Sequence, residues 1–137
     1  MIVSIFAAIV VVVFGLFLIG LACVAFAKPV IAERFFNSFA SSARTHYTEQ
    51  AVRLLVGASI VVLSPAMWQA NLFRIAGWLI VISTVGLLLT PWRWHHRFGQ
   101  QVLPLLVRHL RLYALGLIVF GVLLLLGVFC GSLRVPA

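Results

Sequence analysis

Acid–base chemistry is scarce in this 137-residue chain, which holds two carboxylates, Glu33 and Glu49, and four histidines, His46, His95, His96 and His109. The one grouping with the residue types of a nucleophile, base and acid relay is Ser42, His46 and Glu49. Its spacing of four and three residues is also that of ordinary neighbours on a helix surface, and local pairing is the reading favoured here. His95 and His96 project about 100° apart on a helix. No cysteine or carboxylate nearby completes a ligand set for a metal or for haem. No catalytic residue, metal or other cofactor is expected, and the chain reads as non-enzymatic.

Cations form the densest motif. Arg93, Arg97, Arg108 and Arg111 flank Trp92 and Trp94. Tryptophan favours the headgroup level of a bilayer, and arginine there can hold the phosphates of anionic lipid. Arg34 and the phenylalanines Phe35 and Phe39 repeat the combination on a smaller scale, so these nine residues are the expected anchors at a membrane interface. The free thiols Cys23 and Cys130 lack metal or redox spacing and are expected to be buried.

The elements that must carry these residues follow from where charge is missing. Only 9% of the chain is charged and 64% is hydrophobic, against about 25% charged in ordinary soluble domains. Met1 to Ala27 contains no ionisable side chain. About 20 apolar residues cross a bilayer core as a helix, and four such runs are expected, at about residues 2–27, 51–67, 72–90 and 112–130. The fold expected is an all-α integral membrane protein forming one four-span domain. An Ala-x-Ala pattern at Ala25 to Ala27 is not expected to be cleaved, because no basic residue precedes the apolar run and the run exceeds a signal core.

Eight of the ten basic residues fall between spans one and two (Lys28, Arg34, Arg44, Arg53) or between spans three and four (Arg93, Arg97, Arg108, Arg111). The positive-inside rule then puts both long connections in the cytoplasm and both termini outside, with the bacterial inner membrane as the expected location. The formal charge of +8 is thus a sidedness signal, and no nucleic-acid partner is expected.

Within these connections, residues 30–45 and 94–110 sort into apolar and polar arcs, as amphipathic helices lying at the interface do. In the first, Ile31, Ala32, Phe35, Phe36, Phe39, Ala40 and Ala43 oppose Glu33, Arg34, Asn37, Ser38, Ser41 and Arg44. In the second, Trp94, Phe98, Val102, Leu105 and Leu106 oppose His96, Arg97, Gln100 and Arg108, with Pro104 expected to split the segment. Each connection opens on a proline, Pro29 or Pro91, and closes on Arg-Leu, which suggests two halves related by an axis along the membrane normal. Ser64 to Asn71 reads as a tight turn joining spans two and three.

Small residues mark candidate helix contacts: Gly15 and Gly20 in span one, Gly57 in span two, and Gly116, Gly127 and Gly131 in span four, the last two as G-x-x-x-G. The polar groups near mid-membrane are Ser59, Ser83, Thr84 and Asn71, with no acid among them, which argues against proton-coupled export through an embedded carboxylate. In layout the chain resembles small bacterial inner-membrane proteins with four spans and basic cytoplasmic loops, a resemblance that implies no activity. The expected role is association, as a homo-oligomer or an accessory subunit of a larger membrane complex. A solute transporter or channel formed by an oligomer, and a protein binding anionic lipid headgroups, are the alternatives.

Overall fold

A computed structural model describes residues 1–38 and 42–132, and among them every regular element is helical. In chain order these are α1 (Ile2–Ala27), α2 (Pro29–Ser38), α3 (Ala43–Leu63), a 3₁₀ turn (Ser64–Ala66), α4 (Ala70–Leu89), α5 (Trp92–Arg108) and α6 (Leu110–Ser132). Phe39, Ala40, Ser41 and Arg134 lie outside the described residues. Four helices, α1, α3 with its 3₁₀ extension, α4 and α6, are long and apolar enough to cross a membrane.

The long helices form a row. α1 packs along both α6 and α3, and α3 packs along α4. Buried positions on α1 recur as Ala7, Val11, Gly15, Leu18, Ala22 and Ala25, a spacing of four and three that puts one stripe toward its neighbours. Where α1 crosses α6 the backbones touch: a Cβ on Gly121 would lie 2.8 Å from the Gly15 carbonyl oxygen. Where α3 crosses α4, a Cβ on Gly77 would lie 3.0 Å from the Val61 nitrogen and 3.1 Å from the Gly57 oxygen. Such close approaches supply the van der Waals contact that holds helices together where hydrocarbon gives no hydrophobic drive.

The two ends of the row differ. At one end the turn after α3 meets α6: a Cβ on Gly127 would strike the Phe73 ring and Met67, a Cβ on Gly131 would strike the Ala66 carbonyl, and the Trp68 N–H donates to the Gly127 carbonyl at 3.0 Å. At the other, basic end, α2 and α5 lie against the long helices, with Ala22, Ala25, Ala32, Leu110 and Ala114 buried together. α4 and α6 meet at the turn end and are not packed along their length as α1 and α3 are. The two halves of the chain are therefore packed differently.

Three features depart from expectation. α3 begins at Ala43, not near residue 51, because Ser42 caps it: its Oγ accepts from the Thr45 N–H while the Thr45 Oγ1 accepts from the Ser42 N–H. Ala43 and Arg44 consequently belong to α3 and not to the amphipathic segment before it. Pro104 does not split α5, which continues through it to Arg108 and breaks at His109, whose N–H caps the Leu105 and Leu106 carbonyls. Proline costs one intrahelical bond, and its exposed position here leaves the ring clear of the bundle. Cys23 is exposed on α1 and Cys130 half-buried on α6, so Cys23 is not the buried thiol expected; both are free.

Candidate functional site at the basic end

The early start of α3 decides where its polar residues point. His46, Gln50, Gly57 and Ile60 follow at intervals of four, seven and three, one stripe of a helix, and all four are buried. His46 therefore points into the bundle. It is fully buried, and its Nδ1 lies 2.8 Å from Nδ1 of half-buried His95 on α5, with ring centroids 4.9 Å apart. Tyr47 stacks edge-on against the same ring at 5.2 Å.

Two facing Nδ1 atoms at hydrogen-bond distance need one proton between them. The His46 Nε2 is buried without a partner, and an orphaned N–H costs more than an orphaned lone pair. The arrangement of least cost puts the hydrogen on His46 Nδ1, which donates, and makes the His95 Nδ1 the acceptor, with the His95 Nε2 carrying its ring proton. Burial first, then the electrostatics of His46 and Arg53 beside it, hold His95 below the ordinary histidine value of 6.5. Gln50, fully buried one turn along α3, has neither its amide nitrogen nor its oxygen paired. A turn further, Arg53 turns toward α4, its Nε donating to Thr84 Oγ1 and its Nη2 to Ser83 Oγ, each at 3.4 Å. Both hydroxyls already donate to the Ile80 carbonyl of their own helix, at 2.6 Å from Thr84 and 3.0 Å from Ser83.

The result is a polar column of His95, His46, Gln50, Arg53 and Thr84 that enters from the basic end and stops. Beyond it the interior is filled by Ile60, Leu63, Phe73 and Leu124, each buried and apolar. Ser59 is buried on α3, and Asn71 accepts from Arg74 at the far end, so the polar residues of the spans form no file from end to end.

The other sequence-derived positions separate. Ser42 serves as the α3 cap, and the His46 ring bonds to His95 through Nδ1 and to nothing through Nε2, so Ser42, His46 and Glu49 form no relay. His96 pairs with Gln100 at 3.0 Å and His109 is exposed at the α5–α6 break. The arginine motif divides: Arg93 lies over the Trp92 ring at 5.9 Å, while Arg108 and Arg111, about 22 Å further along at helical rise, line a groove of about 430 Å³ with Glu33, Pro29 and His109. Arg97 and Trp94 are exposed on α5, as is Arg34 on α2. Phe35 is half-buried, its ring against Phe17 of α1 at 6.1 Å and Phe36 at 5.8 Å.

Among the small residues, Gly15, Gly57, Gly127 and Gly131 sit at helix contacts, whereas a Cβ on Gly20 or Gly116 would meet nothing within 4 Å. Gly77 and Gly121, unremarkable in sequence because neither has a small partner four residues away, lie at the α3–α4 and α1–α6 crossings; their partners are on the facing helices. The His46–His95 pair was equally hidden, since 49 residues separate the two. The S-x-x-T cap at Ser42 was the available signal that His46 lies on a bundle-facing stripe. Among the described residues, no three histidine, cysteine or acidic side chains gather as a metal site. Compared with protein families, curated proteins and solved structures, the chain matches none of them.

Proposed function

We propose that the chain is a non-enzymatic integral membrane protein of the bacterial inner membrane that works by association, as a homo-oligomer or as an accessory subunit of a larger membrane complex. The observation that carries this reading is the open row of helices. α4 packs along its length on α3, and only 17% of its apolar stretch is buried, against 39% for α3. Trp78, Leu79, Ile82 and Val85 are exposed, and a Cβ on Gly86 would meet nothing within 4 Å. An edge helix with a small residue on its uncovered side suits the close approach of another transmembrane helix.

Orientation follows from the basic end, which belongs in the cytoplasm with both termini outside. There α5 presents two exposed arcs: Trp94, Phe98 and Leu105 on one, Arg93, Arg97 and Arg108 on the next. That pairing of apolar and basic surface fits an interfacial helix on anionic headgroups, and α2 takes the same position with Val30 and Ile31 exposed beside Arg34. A solute path inside one copy is disfavoured by the apolar plug beyond Thr84, so transport would require a path between copies.

The test is a proximity experiment in native membranes. With Cys23 and Cys130 replaced by alanine, Ile82→Cys should crosslink to a second copy or to one recurrent membrane partner, and buried Ser59→Cys should not. A strictly monomeric mass in lipid nanodiscs, with no adduct from Ile82→Cys, overturns the association reading. Solute flux into liposomes carrying the protein, absent from empty vesicles, would move the assignment to transport.

A further inference from the structure

We propose that the His46–His95 hydrogen bond is a proton-sensitive latch, holding α5 against α3 while the facing Nδ1 atoms share one proton and releasing α5 when His95 takes up a second. The inference goes beyond the association reading and stands whether or not the chain self-associates.

The chemistry is that of the contact itself. With His46 Nδ1–H donating at 2.8 Å, a proton added to the His95 Nδ1 sets two N–H groups against each other at the same distance. Attraction becomes repulsion, and the charge is created beside a fully buried ring. The charged and titratable groups on the packed elements are of both signs. α3 contributes Glu49 as well as Arg53, whose charge opposes a cationic His95. The flanking groups on α5 are Arg93 and His96, and α2, packed against α5, carries Glu33 and Arg34. α4 offers only the neutral Ser83 and Thr84.

The α3–α5 interface is slight beside the long-helix crossings, so a change from attraction to repulsion at this contact weighs heavily in it. Docked, His95 lies below 6.5 for the reasons of burial and charge given above. Released, it returns to that ordinary value, so the released state binds protons more readily. Docking is therefore complete above pH 6.5 and weakens as the pH falls below it, by up to about tenfold per unit until the docked value is passed. Release uncovers His46 and Gln50, whose buried polar atoms lack partners in the docked state and gain access to water.

The experiment uses the full chain in lipid nanodiscs. In protein labelled with ¹⁵N-histidine, scalar coupling across the Nδ1–H···Nδ1 bond should be present at pH 8 and lost at pH 5. In the cysteine-free background, spin labels at Thr48→Cys and Arg97→Cys should give a short distance at pH 8 that lengthens on acidification, with its midpoint below 6.5. His95→Asn keeps a neutral acceptor and should hold the short distance throughout. His95→Lys should give the long distance at every pH. An unchanged distance and unchanged coupling between pH 8 and pH 5 in the wild type overturn the proposal, as does an acid response that persists undiminished in His95→Asn.

Discussion

The turn end and the basic end of the bundle solve packing in opposite ways. At the turn end, glycines let backbone meet backbone, and the polar groups are satisfied locally: Ser64 Oγ donates to the Val61 carbonyl at 2.8 Å, and the Trp68 N–H closes onto α6. At the basic end a histidine and a glutamine are fully buried with polar atoms unpaired, and α5 meets the buried His46 through the His95 hydrogen bond. Buried polar groups without partners cost about 1–3 kcal/mol each. The chain thus carries its rigidity at one end and its tolerated strain at the other, which is where a change of state costs least.

Substitutions at the close crossings should have the largest effect. Gly131→Leu forces α6 off the Ala66–Met67 backbone, and Gly77→Leu forces α4 off Val61, whose nitrogen would lie 3.0 Å from the new Cβ. Each should cost about 3 kcal/mol, the upper part of the range for overpacking, read as a fall in the unfolding midpoint in detergent. A loss below about 1 kcal/mol would mean that the turn end is less rigid than the geometry requires.

At the basic end the sign should reverse. Gln50→Met removes an amide with two unpaired atoms while keeping its length, and should stabilise by about 1 kcal/mol. Destabilisation of that size would show that the amide has a partner in the membrane, and would erase the contrast between the two ends.

The smallest effects belong to the open glycines. Gly20→Ala and Gly116→Ala should fall within about 0.5 kcal/mol in detergent, because neither new Cβ meets an atom within 4 Å. If either variant is neutral in detergent but lost from native membranes, the surface it alters is a site of association.

How much of this was legible in sequence depended on whether hydropathy or a partner helix fixed the residue. The long runs without charge marked α1, α4 and α6 to within a few residues, because hydrocarbon length and helical rise leave little freedom. The first two turns of α3 were harder: Arg44, Thr45, His46, Thr48, Glu49 and Gln50 read as connection by polarity, while the backbone follows the Ser42 cap. Pro104 shows the converse, a helix breaker overridden where its ring faces outward. The candidate site was the least legible part. The Ser42 cap places His46 on α3, but nothing local distinguishes His95 from His96 and His109, and only the meeting of α3 with α5 brings His46 and His95 together. Gly77 and Gly121 likewise acquire meaning from helices far away in sequence.

Site-directed labelling tests most directly whether four helices cross a bilayer with the basic end inside. In the cysteine-free background, a membrane-impermeant maleimide applied to intact cells should label Gln69→Cys at the turn end and leave Gln100→Cys on α5 unlabelled until the cells are opened. Labelling of Gln100→Cys in intact cells, with Gln69→Cys protected, would invert the topology, and recovery of the protein in the soluble fraction would contradict the account altogether.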